Sequence, residues 1–312
     1  MTAEQHFENE TIAVGGSRGT DGGIHFGHVH GCLSKIPDSS VTFYVISDMV
    51  DGCTKESVLR TVLDVKAWNP EIHVVRESSL RSQIFNLIFQ ICETTSFGTM
   101  KSVHPHRRDI QSGKFEGRLS DFLFPVYQTA YLLALGSSWA LYNDDNLSIV
   151  RFARKVRRRL ISRGALSIGH PELAVRKLDP PRLTGPDGRK MAKVYSNVIS
   201  PNDDIGRIVR LMKRSIGKSM GDGVALAPSS CCAAEKALCN ILGLDIDQFS
   251  GEPDGYRRTE KLMVILADRV GRYQSCRAGL LGCSGDLYDL EKSVLSADEN
   301  LAKLRVNEFI SG

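Results

Sequence analysis

The sequence predicts an α/β chain in which a parallel sheet, covered by helices on both faces, is followed by a helical C-terminal domain. Three observations carry this. Short β-branched runs alternate with segments of helical period over the first half of the chain. Beyond Asn197 the pattern turns almost wholly helical. Polar and glycine-rich stretches sit at the ends of the apolar runs, where open parallel sheets bind ligands.

The elements follow in order. Ile12-Ala13-Val14 reads as a first strand that enters a turn rich in glycine (Gly15, Gly16, Gly19, Gly22, Gly23). A helix is expected from about Gly27 to Lys35. Val41 to Ile46 is a buried strand, bounded by Ser39-Ser40 and Asp48. Lys55 to Trp68 has helical spacing, Ile72 to Val75 is a third strand, and Leu80 to Thr94 is a second amphipathic helix. Residues from about 96 to 118, rich in His, Arg, Gly and Ser, read as a connecting loop or lid. Phe122 to Leu135 is an apolar helix that starts after Ser120-Asp121, a suitable N-cap pair. Trp139 to Tyr142 returns as a strand ending at Asn143-Asp144-Asp145-Asn146. Helical spacing then marks Ile205 to Ile216, Cys232 to Leu242, Thr259 to Leu280 and Leu287 to Ile310, with Val224-Ala225-Leu226 as the one candidate strand. The expected division is a catalytic domain over residues 1–200 and a helical domain over 201–312.

Composition narrows the function classes. The chain has 312 residues, 42% hydrophobic and 24% charged, enough for two domains and a large core. No apolar run approaches the roughly 18 residues of a membrane span. Residues 1–10 are polar and acidic, unlike a signal peptide, so a cytoplasmic protein is expected. Eight cysteines lie along the chain without C-x-x-C pairs, which fits free thiols and offers no metal-ligand spacing. The net charge of +4 is mild, but Arg151, Arg154, Lys155, Arg157, Arg158, Arg159 and Arg163 crowd one segment. Such a cluster suits a phosphate backbone, with Arg154, Arg157 and Arg158 as candidate nucleic-acid contacts, or else a solvated helix face.

Two short motifs carry the chemistry. His25-Phe26-Gly27-His28 opens a helix after the glycine-rich turn, and Lys190-Met191-Ala192-Lys193 follows the turn Gly185-Pro186-Asp187-Gly188-Arg189. Two histidines and two lysines are suited to bracket a triphosphate and to stabilise the charge that builds when its α-phosphate is attacked. Backbone N–H groups at the helix start favour the same anion. His25, His28, Lys190 and Lys193 are therefore the candidate catalytic residues. Gly16, Gly27, His28, Asp145 and Met191 are the candidate ATP contacts, with Asp145 accepting from the ribose hydroxyls.

Several segments, in order, resemble the class I aminoacyl-tRNA synthetases of the tryptophanyl/tyrosyl subclass, the tryptophanyl enzymes above all. Gly27-His28-Val29-His30-Gly31 is similar to the family's G-H-x-x-G helix start. Phe43 to Asp48 is similar to its second strand, Phe124-Pro125-Val126-Tyr127-Gln128 through Leu135 to the helix lining the amino-acid pocket, and Asn143 to Asn146 to its G-x-D-Q element. Gly185 to Lys193 is similar to the D-G-x-K-M-S-K-S signature, and Asp203-Asp204 follow as acidic residues do in that family. The resemblance implies a Rossmann-type catalytic domain, a helical anticodon-binding domain and a homodimer. It implies attack of an amino-acid carboxylate on the α-phosphate of ATP, with Mg²⁺ carried on the phosphates. Pyrophosphate leaves, and the acyl group passes to a tRNA.

The departures gather at the amino-acid end. The family aspartate that receives the substrate's indole N–H or phenol O–H is matched by Tyr131. The pocket-opening tyrosine is Phe124, the glutamine and proline of the first loop are Gly19 and Thr20, and the glutamine of G-x-D-Q is Asn146. Asp48, Tyr127 and Gln128 are the candidates for a compensating polar group, so the acid activated need not be tryptophan. Two other readings stand beside tRNA charging: a ligase that passes the acyl group to a small-molecule amine, and a non-catalytic binding protein.

Overall fold

The computed structural model describes residues 11–18, 23–27, 33, 41–48, 53–104, 107–142, 147–167, 169–177, 183–189, 191, 195–221, 233–242, 244–245, 248, 255–284, 289 and 291–310. The expected helix over 27–35 and the candidate strand at 224–226 lie largely or wholly outside them.

Five parallel strands form one sheet: β1 (Thr11–Arg18), β2 (Val41–Ser47), β3 (His73–Arg76), β4 (Trp139–Tyr142) and β5 (Ala174–Lys177), in the order β3-β2-β1-β4-β5. The order reverses between β1 and β4, the place where such sheets open a crevice at their carboxyl ends. Strand β1 runs on through Gly15-Gly16, which were expected to turn. Its register on β2 slips between Gly15 and Arg18, an irregularity that absorbs the extra residue. Strand β5 had no signal, because Ala-Val-Arg-Lys has too few β-branched residues to stand out.

Helix α1 (Lys55–Trp68) opens with a capping box: Ser57 N–H donates to Thr54 Oγ1 at 3.1 Å and Thr54 N–H donates to Ser57 Oγ at 2.9 Å. Helix α2 (Glu77–Glu93) begins three residues before its first apolar position, directly off β3. Its N-terminus is capped from outside, since Ser78 N–H donates to Asp48 Oδ1 at 2.9 Å and the Ser78 hydroxyl donates to Asp48 Oδ2.

The expected loop over 96–118 holds two short helices, α3 (Phe97–Val103) and α4 (Arg107–Gln111). Ser96 caps the first, accepting from Thr99 N–H at 3.2 Å. His104 is buried between Phe115 and Phe122 and bonds to the Asp121 carbonyl at 2.9 Å. The helix expected from 122 to 135 is broken at Leu123 into α5 (Leu119–Phe122) and α6 (Phe124–Ala134), because Pro125 has no N–H to continue a ladder and instead starts a new helix. Helix α7 (Leu147–Ser162) buries Val150, Ala153, Val156 and Leu160 on one face. These join Val45 and Val75 of the sheet, Ile84 and Leu87 of α2, and Ala130 and Leu133 of α6 in one core.

The chain divides into two compact units. The first comprises Met1–Asp21, Ile36–Asp179 and Ser284–Gly312; the second comprises Gly22–Lys35 and Pro180–Cys283. This differs from a single boundary at residue 200, because the last segment returns to the sheet. There a π-helical turn (Glu291–Leu295) leads into α11 (Ser296–Ile310) beside edge strand β3. Asp298 accepts from Val74 N–H at 2.8 Å, from Lys66 Nζ at 2.9 Å and from His73 Nδ1 at 2.9 Å. Arg76 grips Glu299 with two bonds, at 2.6 and 3.1 Å, and Glu291 with a third at 2.9 Å. An open strand edge is thus covered by carboxylates of the C-terminal segment.

The second unit holds α8 (Ile205–Gly221), α9 (Ala233–Leu242) and α10 (Gly255–Ser284). Leu238, Ile241, Leu262 and Leu266 are buried in it, with a buried ion pair between Arg258 Nε and Glu235 Oε1 at 3.2 Å.

Candidate functional site

In the second unit the two motifs far apart in the chain are brought together. Phe26 N–H donates to the Ile199 carbonyl at 2.9 Å, and Ser200 Oγ donates to the Ile24 carbonyl at 3.0 Å. The segment before the lysine motif folds into a tight turn, with Gly185 N–H on the Arg189 carbonyl at 2.7 Å and Gly188 at a φ of 77°, which favours glycine. Met191 N–H then donates to the Leu183 carbonyl at 2.8 Å. The Asp187 carboxylate organises the turn: Asn197 Nδ2 donates to it at 2.7 Å and Arg189 Nε at 2.8 Å. Burial alone would raise its pKa, but those donors hold it below the usual aspartate range. Arg189 also lies over the Tyr195 ring, 4.9 Å from its centroid.

Gly27 marks where the motifs meet. A Cβ there would stand 3.0 Å from His25 Nδ1 and 3.3 Å from Met191 Sδ, so a side chain at this position would press on both neighbours. Three of the expected residues (His25, Gly27 and Met191) therefore form one constellation. His28, Lys190, Lys193, Asp145, Gly19 and Asn146 lie outside the described residues. Gly16 belongs to the irregular end of β1.

Of the amino-acid candidates in the first unit, Asp48 directly follows β2 and four others lie on α6. Phe124, Tyr127, Gln128 and Tyr131 form one stripe of α6, at the i, i+3, i+4, i+7 spacing. The stripe descends from half-buried Phe124 and Tyr127 to Gln128 at 9% exposure and Tyr131 at 2%. Tyr131 is part of the hydrophobic core. Its phenol is pushed up in pKa by burial and then by the charge of Glu77, with the Gln128 side chain opposing. The Glu77 carboxyl is itself raised by burial and by Asp48, while the Ser47 hydroxyl and Arg81 act against the shift. Asp48, expected as a pocket group, has both oxygens on Ser78 at the start of α2. Glu77 had no place in the expectations. Its signal was its position one residue past a strand, masked by starting the helix at Leu80.

The basic segment is helical, and its cations are not alike. Arg157 turns inward: its Nε donates to the Pro171 carbonyl at 2.7 Å and a terminal nitrogen donates to the His170 carbonyl. His170 is buried, with Nε2 on the Leu133 carbonyl at 2.7 Å, and burial lowers its pKa. Arg154 and Arg158 instead reach Glu172 at 3.5 and 4.0 Å on the surface. No group of three or more His, Cys, Asp or Glu side chains arranged for a metal occurs among the described residues, nor does a helix long and apolar enough to cross a membrane.

No protein-family model matches the chain. In sequence it is 24% identical over 201 residues to the tryptophan–tRNA ligase of Thermotoga maritima, a match spanning 57% of this chain and 59% of that protein. The chain thus aligns with about three fifths of the length of this curated relative. Among solved structures, the Campylobacter jejuni tryptophanyl-tRNA synthetase complexed with ADP and tryptophan superposes with a TM-score of 0.73 at 19% identity, over 96% of both chains. The Archaeoglobus fulgidus tyrosyl-tRNA synthetase complexed with L-tyrosine superposes with a TM-score of 0.59 at 16% identity, over 97% of this chain and 92% of that one. The chain is similar in sequence to tryptophan–tRNA ligase, and its fold is that of the tryptophanyl- and tyrosyl-tRNA synthetases.

Proposed function

We propose that the chain joins an amino acid to ATP, forming an aminoacyl-adenylate and pyrophosphate, and then passes the acyl group to a tRNA. One observation carries the reading: the histidine motif and the lysine motif meet at Gly27, with His25 and Met191 in contact range of the same point. The neighbour complexed with ADP and tryptophan supports adenine-nucleotide use.

The chemistry needs no covalent enzyme intermediate. The carboxylate attacks the α-phosphate in line, so the protein's task is to align the two and to stabilise charge on phosphate oxygens. His25 and His28 donate to the phosphates at the start of a helix. Lys190 and Lys193 hold the departing pyrophosphate, and Mg²⁺ travels on the phosphates rather than in a protein cage. Asp145 receives the ribose hydroxyls, and Phe124, Tyr127, Gln128, Tyr131 and Asn146 shape the amino-acid pocket. The exposed face of α7, with Arg154 and Arg158, is the candidate tRNA contact. The active form is a cytoplasmic homodimer.

Amino-acid-dependent exchange of pyrophosphate into ATP, run over a panel of acids, tests the reading. Exchange with at least one acid is expected, and none with any acid refutes it. Charging of total tRNA with the acid so found then separates a tRNA acceptor from a small-molecule amine.

A further inference from the structure

We propose that Asp187, Arg189 and Asn197 form a clasp that ties together the two stretches flanking the lysine motif, and that Arg189 and Asn197 are thereby positioning residues for attack at the α-phosphate. The inference rests on the adenylate-forming reading. It adds residues that act through the two motifs rather than on the substrates.

The clasp is closed by three bonds to one carboxylate. The Asn197 side-chain amide donates to Asp187 Oδ1 at 2.7 Å, Arg189 N–H donates to the same oxygen at 3.1 Å, and Arg189 Nε donates to Oδ2 at 2.8 Å. Donors from both sides of the lysine motif thus converge on Asp187. The Arg189 guanidinium also lies 4.9 Å from the centre of the Tyr195 ring, a second contact across the motif. Arg189 directly precedes Lys190, and Tyr195 is two residues past Lys193. The clasp therefore fixes the distance between the two ends of the motif.

Asn197 is built into this place. It is 2% exposed, and a buried amide must find partners. A Cβ at Gly185 would stand 2.5 Å from Asn197 Nδ2 and 2.8 Å from the Asn197 carbonyl oxygen, closer than side chains approach, so glycine at 185 is what admits the amide. Ser196 has a φ of 51° and is the one non-glycine residue among the described residues in the left-handed region. Such a conformation persists where contacts on either side impose it. Here they are Tyr195 on Arg189 and Asn197 on Asp187.

The same stretch carries the clasp to the histidine motif. The Ile199 carbonyl accepts from Phe26 N–H at 2.9 Å, and the Ser200 hydroxyl donates to the Ile24 carbonyl at 3.0 Å. His25 lies between these two bonds in the chain. Losing the Asn197–Asp187 bond removes a link between the lysine stretch and the histidine stretch, and the reaction needs both in register. A misplacement of about 1 Å at such a site costs ~10²-fold in rate.

Single-turnover adenylate formation tests this, with an acid that the wild type uses in pyrophosphate exchange. The proteins are the full-length wild type, Asn197→Ala, Arg189→Met and the exchanged pair Asp187→Asn with Asn197→Asp. The Arg189 side chain is 61% exposed, so Arg189→Met guards against loss of folding. The rate constant is expected to fall ~10²-fold in Asn197→Ala and roughly tenfold in Arg189→Met, with the KM for the amino acid unchanged. The burst amplitude of Arg189→Met should stay full. The exchanged pair restores an amide–carboxylate bond across the clasp and should recover most of the loss. A residue that only supports the fold would lower the amplitude and leave the rate constant as it was. Unchanged rate constants in both single variants overturn the inference, as does an exchanged pair no faster than Asn197→Ala. Either result leaves adenylate formation standing. A wild type that forms an adenylate with no acid removes the proposed function, and this inference with it.

Discussion

Replacing Asp298 by alanine is expected to unlatch the C-terminal segment from the sheet. The carboxylate is 6% exposed and serves three donors: Lys66 Nζ, itself on a residue 7% exposed, the His73 ring and the Val74 N–H of the edge strand. Alanine leaves the buried Lys66 ammonium on the Pro70 carbonyl, at 3.0 Å, and strips Val74 of its acceptor. Removing one partner of a buried ion pair costs about 3–5 kcal/mol, whereas replacing both by apolar groups is often neutral. For a unit of this size that corresponds to a fall in Tm of about 10 °C. The assay is thermal and urea unfolding by circular dichroism, on Asp298→Ala and on the double variant Lys66→Met with Asp298→Leu. The single variant should be the less stable of the two. A pH series adds a second reading. Burial would raise the Asp298 carboxyl, but the bonds from His73, Lys66 and Val74 hold it below the ordinary value. A depressed carboxylate contributes fully above about pH 4, where its unfolded counterpart is ionised, and the contribution is lost as pH falls through the folded value. Wild type should therefore lose stability more steeply below pH 4 than Asp298→Ala does. A cost under about 1 kcal/mol, or equal acid slopes, refutes the latch.

Three further outcomes are expected. Gly27→Ala sets a methyl 3.0 Å from His25 Nδ1 and 3.3 Å from Met191 Sδ; the exchange rate should fall by ~10²-fold, as for a misplaced positioning group, with Tm little changed. Lys193→Ala should leave ATP binding largely intact by calorimetry and slow adenylate formation by ~10²-fold or more, and a near-normal rate would remove Lys193 from the mechanism. Arg157→Ala should destabilise the chain by roughly 1–3 kcal/mol, since the His170 and Pro171 carbonyls lose a charged donor. Arg158→Ala, on the surface, should stay within ~0.5 kcal/mol and act, if anywhere, on tRNA affinity.

The strands and long helices were legible because burial imposes period: Val41 to Ile46 and Lys55 to Trp68 have no other stable reading. The C-terminal return was not, since α11 shows helical spacing but nothing in Asp298 or Glu299 says which strand they will meet. Its partners are more than two hundred residues away in the chain. The break at Leu123 was legible in principle from Pro125, and the expected Ser120-Asp121 cap hid it. The two motifs were expected to share a phosphate site, and the described residues show one approach between them, at His25, Gly27 and Met191. Its geometric cause, the absence of a side chain at Gly27, belongs to tertiary packing.

The amino-acid end shows how a functional residue escapes a reading by side-chain type. Asp48 was chosen because an aspartate after a strand points to ligand binding. In the fold its two oxygens go to Ser78, at the first turn of α2, where a carboxylate also meets the positive end of the helix. That use fixes where α2 begins, and so fixes Glu77, the residue just before Ser78. The carboxylate expected to touch substrate thus fixes the start of the helix that carries another. Two neighbouring acids at the ends of adjacent strands cannot both be fully charged without cost, and the fold separates their roles. Asp48 is matched to a helix start. Glu77, raised by burial and by Asp48, is matched to the neutral Ser47 hydroxyl. A neutral hydroxyl is a better partner for such a carboxyl than a cation from solvent would be, because it satisfies the acceptor without importing charge.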